Sequence, residues 1–375
     1  MATVCLCVKT IHHPSAGGHL WAYLNWAFGL RAAGHTVIWA EEYDAGYTVA
    51  LLQPCVAWLK DRLAPFGFAE RIALIPQTAA QPELAHALGC MDSAEAARAD
   101  LFLNFAYMIE QGVVDRFRRT ALVDIDPGLT QLWWKHGYIK IGRYQRYYTI
   151  GETVGQPGAR FPDCGVTWHY TPPAVSLEAW PVTPTPAGAP FTTVTHWGGE
   201  WVEDETGVFP NDKRTGFLPY FDLPQKTRAT LELALFLAPS EAGERADLER
   251  RGWSIRNSVD ATGTPQAYRS YIQGSAGEFS CVKPSCIRLQ NAWISDRTIC
   301  YLASGKPAVV QHTGPSRFLP DAEGLLRFRD LDEAARMLED ATKNYERHAR
   351  AARALAERYF DAKKPAEIVV EGALA

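Results

Sequence analysis

Short unbroken apolar runs alternate along the chain with longer stretches whose apolar positions recur at helical spacing. Residues 3–10 form one such run, the pattern of a strand buried on both faces. A loop from His12 to His19 follows and holds Pro14, Gly17 and Gly18. Leu20 to Ala33 is helical in pattern, Gly34 stands where a helix C-terminal glycine belongs, and 36–40 predicts a second strand. This strand–loop–helix–strand unit is the first part of a doubly wound sheet. The pattern continues with helix 50–64, strand 71–75, helix 93–99, strands 101–105 and 120–126, helix 129–136 and a short strand at 143–150.

Pro172, Pro173, Pro181, Pro184, Pro186 and Pro190 then interrupt both periodicities. Such a stretch sustains neither a helix nor a central strand and predicts a stiff linker. Beyond it the alternation restarts: strand 191–197, helix 225–237, strand 253–258, helix 264–273 and strand 277–283. A helix from Ser295 to Ser304, closed by Gly305 and Pro307, precedes strand 307–311, and helices at about 330–343 and 344–360 lead to a short tail. The expected fold class is α/β, with two doubly wound Rossmann-like domains facing across a cleft. The expected domains are 1–175, a linker at 176–190, a second domain at 191–345, and a helix and tail at 346–375 packing back on the first. Ligands of such sheets bind beyond the carboxyl ends of the strands, which puts the site in the cleft.

Composition narrows the classes. A length of 375 residues suits two domains, and 47% hydrophobic residues supply two cores. The net charge of −4 argues against a nucleic-acid partner. The eight cysteines include no CxxC pair, so they predict reduced thiols rather than a metal site. The run MATVCLCVKT is too short for a signal peptide and no stretch reaches the length of a membrane span, so a cytoplasmic protein is expected.

Several residues carry candidate chemistry. Gly17 and Gly18 let backbone approach a ligand at the start of a helix, although the spacing lacks the dinucleotide fingerprint GxGxxG. His19 follows them with a pKa range suited to a general base. Asp124 and Asp126 sit at the end of a strand in LVDIDPG. Ser295 is a good N-cap, and the helix end after it suits a diphosphate. His196 and Trp197 end the first strand of the second domain, where a tryptophan can stack on a base or a sugar, and Lys226 opens the next predicted helix within reach of a phosphate.

Two segments resemble a known family. From Gly17 to Ala40 a glycine-histidine loop precedes a helix that ends in Arg31, Gly34 and His35 before an apolar strand. This is similar to the opening of GT-B glycosyltransferases. From Gly277 to Gly314 a strand, a loop, a helix ending in Gly305-Lys306-Pro307 and a short strand resemble their donor-binding half. The resemblance implies transfer of a sugar from a nucleoside-diphosphate sugar, UDP being one candidate, to an acceptor hydroxyl or amine, with the donor sugar and the base left open. It implies that His19 deprotonates the acceptor and that Asp124 holds His19. It gives Lys283 and Arg297 to the diphosphate, Asp296 or Glu278 to ribose or sugar hydroxyls, and Gln311, Thr313 and Gly314 to the donor sugar. It implies no cofactor and no essential metal, although Asp124-Ile125-Asp126 also matches the DxD of metal-dependent GT-A enzymes. The chain departs from both subgroups: Cys300 replaces the glutamate of retaining members, and Trp293 stands where a plant-type signature begins with histidine. Inverting or retaining chemistry and the identity of the acceptor, small molecule or biopolymer, stay open. The alternatives are a sugar-nucleotide epimerase, a non-catalytic sugar-nucleotide sensor or scaffold, and a nucleic-acid glycosyltransferase, which the acidic balance disfavours.

Overall fold

The computed structural model describes residues 1–44, 46–78, 82–237 and 241–375. Seven strands build the first sheet: β1 (Thr3–Val8), β2 (Thr36–Tyr43), β3 (Ile72–Pro76), β4 (Leu101–Asn104), β5 (Thr120–Asp124), β6 (Arg146–Thr149) and β7 (Trp168–Tyr170). Their order is β3-β2-β1-β4-β5-β6-β7, and every pairing is parallel. The second lobe opens with β8 (Phe191–His196), followed by a hairpin of β9 (Gly199–Asp204) and β10 (Gly207–Asp212). Its sheet adds β11 (Leu231–Phe236), β12 (Ser254–Asn257), β13 (Gly277–Ser280), β14 (Ala308–Gln311) and β15 (Leu325–Phe328). The order is β12-β11-β8-β13-β14-β15, again parallel throughout. Each sheet therefore reverses direction beside its own first strand, and each reversal creates a switch point at the carboxyl ends.

The expected helix at 225–237 is not formed. A single turn at Leu223–Gln225 leads into strand β11 instead. Leu, Glu and Ala favour helices locally, but Leu231 to Leu235 lie at the sheet centre and are all buried. Burial between two neighbours outweighs a preference of a few tenths of a kcal/mol per residue. The tail is also more ordered than expected, because Lys363–Leu374 is a helix. It packs on the first-lobe helix Gly17–Ala32 and on β4, β5 and β6. A Cβ on Gly29 would lie 2.3 Å from the Ala362 carbonyl oxygen, so that crossing needs glycine.

The proline-rich segment is bound rather than loose. Val175 bridges to the chain near Asp361, and Trp180 is fully buried. The buried Lys306 ammonium donates to the Thr183 and Pro184 carbonyls and to Thr185 Oγ1. One apolar core runs through both lobes and includes Trp21, Trp180, Tyr268, Ile299 and Cys300. Trp21 Nε1 donates to the Pro265 carbonyl at 2.7 Å across the seam. The β9–β10 hairpin makes a second tie: Val202 and Phe209 bury their side chains with Leu132 of the first lobe. All eight cysteines are free, and Cys55 and Cys164 are the two that are only half-buried.

Candidate active site

The two switch points meet. A cavity of about 460 Å³ lies between the His13–His19 segment after β1 and the carboxyl ends of β8 and β11. Tyr268, Asp296 and Arg297 complete its second-lobe wall. A smaller cavity of about 190 Å³ lies on the first-lobe side, against Tyr23, Trp26 and Asp126. His19 and Asp296 border both cavities.

The loop that delivers His19 is anchored from β2. The buried Glu41 accepts from the Thr10 and Ile11 amides, from the Thr10 hydroxyl and from Trp39 Nε1. His19 then sits in the first turn of the helix Gly17–Ala32. Its Nε2 lies 3.0 Å from the Lys9 carbonyl oxygen. A carbonyl only accepts, so Nε2 carries the proton and Nδ1 keeps the basic lone pair. Burial holds the imidazole below its ordinary pKa, opposed by the Lys9 carbonyl and by the charge of Asp296. The ring is thus neutral at pH 7, the form a general base requires.

The expected pair of Asp124 with His19 is not made. Asp124 is fully buried and accepts from Thr130 Oγ1 at 2.7 Å, Gln131 Nε2 at 2.9 Å, Thr149 Oγ1 at 2.9 Å and the Asp126 amide at 3.0 Å. Its position at the last residue of β5 directs it into the turn below, where it organises Asp126. Asp126 opens into the smaller cavity with His19. Its carboxyl is pushed up to about 6, first by desolvation and then by the charge of Asp124, against the pull of Lys283. With both Asp124 oxygens engaged, the Asp124-Ile125-Asp126 segment lacks the two free carboxylates that a DxD metal site uses. Among the described residues, the one cluster with metal-type spacing is His86, Asp92 and Glu95. There Asp92 and Glu95 form the capping box of a short helix.

Gly17 and Gly18 serve a contact that the sequence does not reveal. A Cβ on Gly17 would lie 2.2 Å from the Thr264 carbonyl oxygen, and one on Gly18 would lie 2.5 Å from the Tyr268 ring. Both also border the larger cavity. The glycines therefore let the two lobes touch, in addition to leaving room at the cleft.

On the second lobe the expected donor residues divide into free and engaged groups. Ser295 is the N-cap of the helix Asp296–Ala303 and accepts from the Arg297 amide. Asp296 faces both cavities. Arg297 does border the larger one, but its guanidinium is committed to Glu278 at 2.7 Å, Ser280 Oγ at 2.6 Å and the Val194 carbonyl at 2.9 Å. Glu278 is fully buried in that pair, so neither side chain is free to act as expected on a diphosphate or a ribose. Gln311 bridges the Val282 amide and the Tyr220 hydroxyl, and Thr313 donates to the Trp293 carbonyl. Gly314 holds φ +123°, and a Cβ there would meet the Gln290 carbonyl oxygen at 2.8 Å. Thr313 and Gly314 hold the loop beyond β14 to the Gln290–Trp293 segment, while Gln311 ties the end of β14 to Val282 and Tyr220. Lys283 stands at the N-cap position of the helix Pro284–Leu289 without a capping side-chain bond and lies near enough to Asp126 to lower its pKa.

Two further expectations change. Trp197 turns into the second core, 5.4 Å from Phe217 between ring centroids, and not toward the cleft. His196 remains on the cavity wall. Lys226 precedes β11, at the amino end of the sheet and so opposite the cleft, where it pairs with Asp332 at 2.9 Å. In the first-lobe motif, Arg31 donates to the Phe66 carbonyl, Gly34 takes φ +83°, and His35 Nδ1 accepts from the Ala2 amide. All three are structural.

Two contributors escaped the sequence reading. Lys213 follows the hairpin, and its ammonium donates to the Cys281 carbonyl beside Arg297 and Ser295. Desolvation, aided by the Arg297 charge, pushes it down to about 8. Tyr23 and Trp26 are the second. They share one helix face with His19 and Ala22, at the spacing i, i+3, i+4, i+7, which is legible in the sequence.

This arrangement is the GT-B fold, and solved glycosyltransferases share it. HepE of Anabaena, solved with UDP and glucose, matches with a TM-score of 0.55 at 12% identity, over 99% of each chain. A glycosyltransferase from Rickettsia africae matches with a TM-score of 0.55 at 10% identity, over 99% of this chain and 97% of that one. An alpha-glucosyltransferase solved with UDP matches with a TM-score of 0.59 at 9% identity, over 100% of both chains, and has also been solved with UDP and a 13-mer DNA. No protein-family model and no curated protein matches the sequence. At these identities the likeness defines the fold. Among the described residues no helix is long and apolar enough to cross a membrane.

Proposed function

We propose that the protein transfers a glycosyl group from a nucleoside-diphosphate sugar, UDP-linked in the first instance, to an acceptor hydroxyl. The observation that carries this reading is the position of His19 between two cavities, with Asp296 and a helix N-terminus facing it from the other lobe. The larger cavity receives the donor, and the smaller receives the acceptor. Neutral His19 takes the acceptor proton on Nδ1. The acceptor oxygen forms its bond to the anomeric carbon as the bond from that carbon to the phosphate oxygen breaks. The leaving diphosphate departs with the electron pair toward the N-terminal end of the helix Asp296–Ala303, which stabilises it, and Lys213, which shares a small pocket with Ser295 and Arg297, adds positive charge beside that helix end. Attack from the face opposite the leaving group inverts the anomeric centre.

In this scheme the Lys9 carbonyl sets the tautomer of His19, the task expected of Asp124. Asp124 instead organises the turn that carries Asp126, and the charge of Asp296 supports the imidazolium as it forms, with Asp126 on the same cavity wall. No step in the scheme uses a metal, and full transfer in the presence of a chelator is the corresponding expectation. The reading is tested by incubating the protein with nucleotide sugars and following nucleoside diphosphate and glycoside together. Acceptor-dependent formation of both supports transfer. Conversion of the donor to an isomer without acceptor would point to an epimerase instead.

A further inference from the structure

The cavity on the first-lobe side differs in chemistry from its neighbour. Tyr23 and Trp26 line it from one helix face, Trp293 faces them from the second lobe, and Ile125 and Ile150 supply an aliphatic wall. Its polar groups are few: the His19 ring, the Tyr23 hydroxyl, and the carboxylates of Asp126 and Asp296. The volume of about 190 Å³ lies below the roughly 300–1,000 Å³ of pockets that hold drug-sized ligands. It accommodates a single substituted ring.

Three acceptor classes meet these walls differently. A sugar would find acceptors in the two carboxylates, but its own oxygens would find few donors beyond His19 and the Tyr23 hydroxyl, and its ring would face the isoleucine wall. An anion would face two carboxylates. An aromatic ring would stack or pack edge-on against the three aromatic side chains and needs a partner only for its one hydroxyl. We infer that the acceptor is a small aromatic alcohol without negative charge, seated among Tyr23, Trp26 and Trp293 with its hydroxyl directed at His19. The inference rests on the transferase reading above and narrows it.

The test uses the full-length protein with the nucleotide sugar whose diphosphate binds it in a prior titration. The acceptor panel is 4-methylphenol, benzyl alcohol, 4-hydroxybenzoate, glucose and 5-hydroxymethyl-2′-deoxycytidine. The neutral aromatic alcohols are expected to exceed the carboxylated phenol and glucose in kcat/KM by about ten-fold or more. Equal or better use of glucose, 4-hydroxybenzoate or the nucleoside overturns the inference. So does nucleotide binding without transfer to either aromatic alcohol. Absence of any nucleotide binding overturns the transferase reading itself, which keeps the two failures distinct.

Two variants probe the walls. Ala22→Phe fills the cavity from the same helix face. It should raise KM for the aromatic alcohol about ten-fold or more while the UDP affinity stays within about two-fold. An unchanged KM contradicts the assignment. Should Ala22→Phe fail to fold, Asp126→Asn gives a second readout. It removes one wall charge and should raise the use of 4-hydroxybenzoate relative to 4-methylphenol, and an unchanged ratio counts against the inference.

Discussion

Over six strands the two lobes have the same strand order, with β7 extra in the first, but they use their switch points differently. At the first, His19 and Asp126 face cavities with spare hydrogen-bonding capacity, while the groups behind them, Glu41 and Asp124, are saturated. At the second, Arg297 is bonded to both Glu278 and Ser280, and what remains for a ligand is a helix end. On the proposed reading the first lobe supplies proton chemistry and the second a rigid electrostatic frame. One doubly wound sheet supports either task, because the task lies in the groups set at the switch point.

The contrast can be broken at its reactive end first. His19→Ala removes the proposed base and should lower kcat by about 10²–10⁴-fold, with UDP affinity unchanged by calorimetry. The rigid end should respond in stability. Arg297→Ala leaves the carboxylate of Glu278 buried without its partner and should cost about 3–5 kcal/mol in urea unfolding. Gly17→Ala tests the seam between the lobes. Its methyl would press on the Thr264 carbonyl, with a loss of about 1–3 kcal/mol and a lower melting temperature.

The pH response sharpens the same comparison. Asp126 shares the smaller cavity with His19, where its protonation removes a negative charge, and a protonated His19 is no longer a base. Activity should therefore fall as pH drops through about 6, the value to which Asp126 is raised. In Asp126→Asn that contribution disappears, and the remaining limb, set by the depressed pKa of His19, should lie at lower pH. A limb that does not move would remove Asp126 from the mechanism. The smallest effect is expected at Lys226→Ala, which lies at the far end of the sheet and should change UDP affinity less than about two-fold.

Much of this architecture is legible in the chain. The run at 3–10, the Arg31-Gly34-His35 helix end and the Ser295 cap each correspond to one local physical cause: burial on two faces, a left-handed glycine and a side-chain acceptor for an orphan amide. What was missed depends on distant partners. Leu231–Phe236 has helix-forming residues and becomes a strand because two strands flank it. The β9–β10 hairpin was missed because its apolar residues form adjacent pairs, Trp201-Val202 and Val208-Phe209, rather than an alternation, and its docking on the first lobe is a tertiary fact. At the site, His19 was apparent from its place after the glycines. The choice between Asp124 and Asp126 was not, because it depends on Thr130, Gln131 and Thr149, which have no sequence signature. The engagement of Arg297 by Glu278 is likewise a tertiary fact.

The central claim is that the cavity between the switch points binds a nucleoside diphosphate on the second-lobe frame. Calorimetric titration of the purified protein with UDP, with and without magnesium, tests it most directly. Saturable one-to-one binding, unchanged by magnesium and raising the melting temperature in step with occupancy, is the predicted result. Absence of binding by UDP and by every other nucleoside diphosphate would contradict the account.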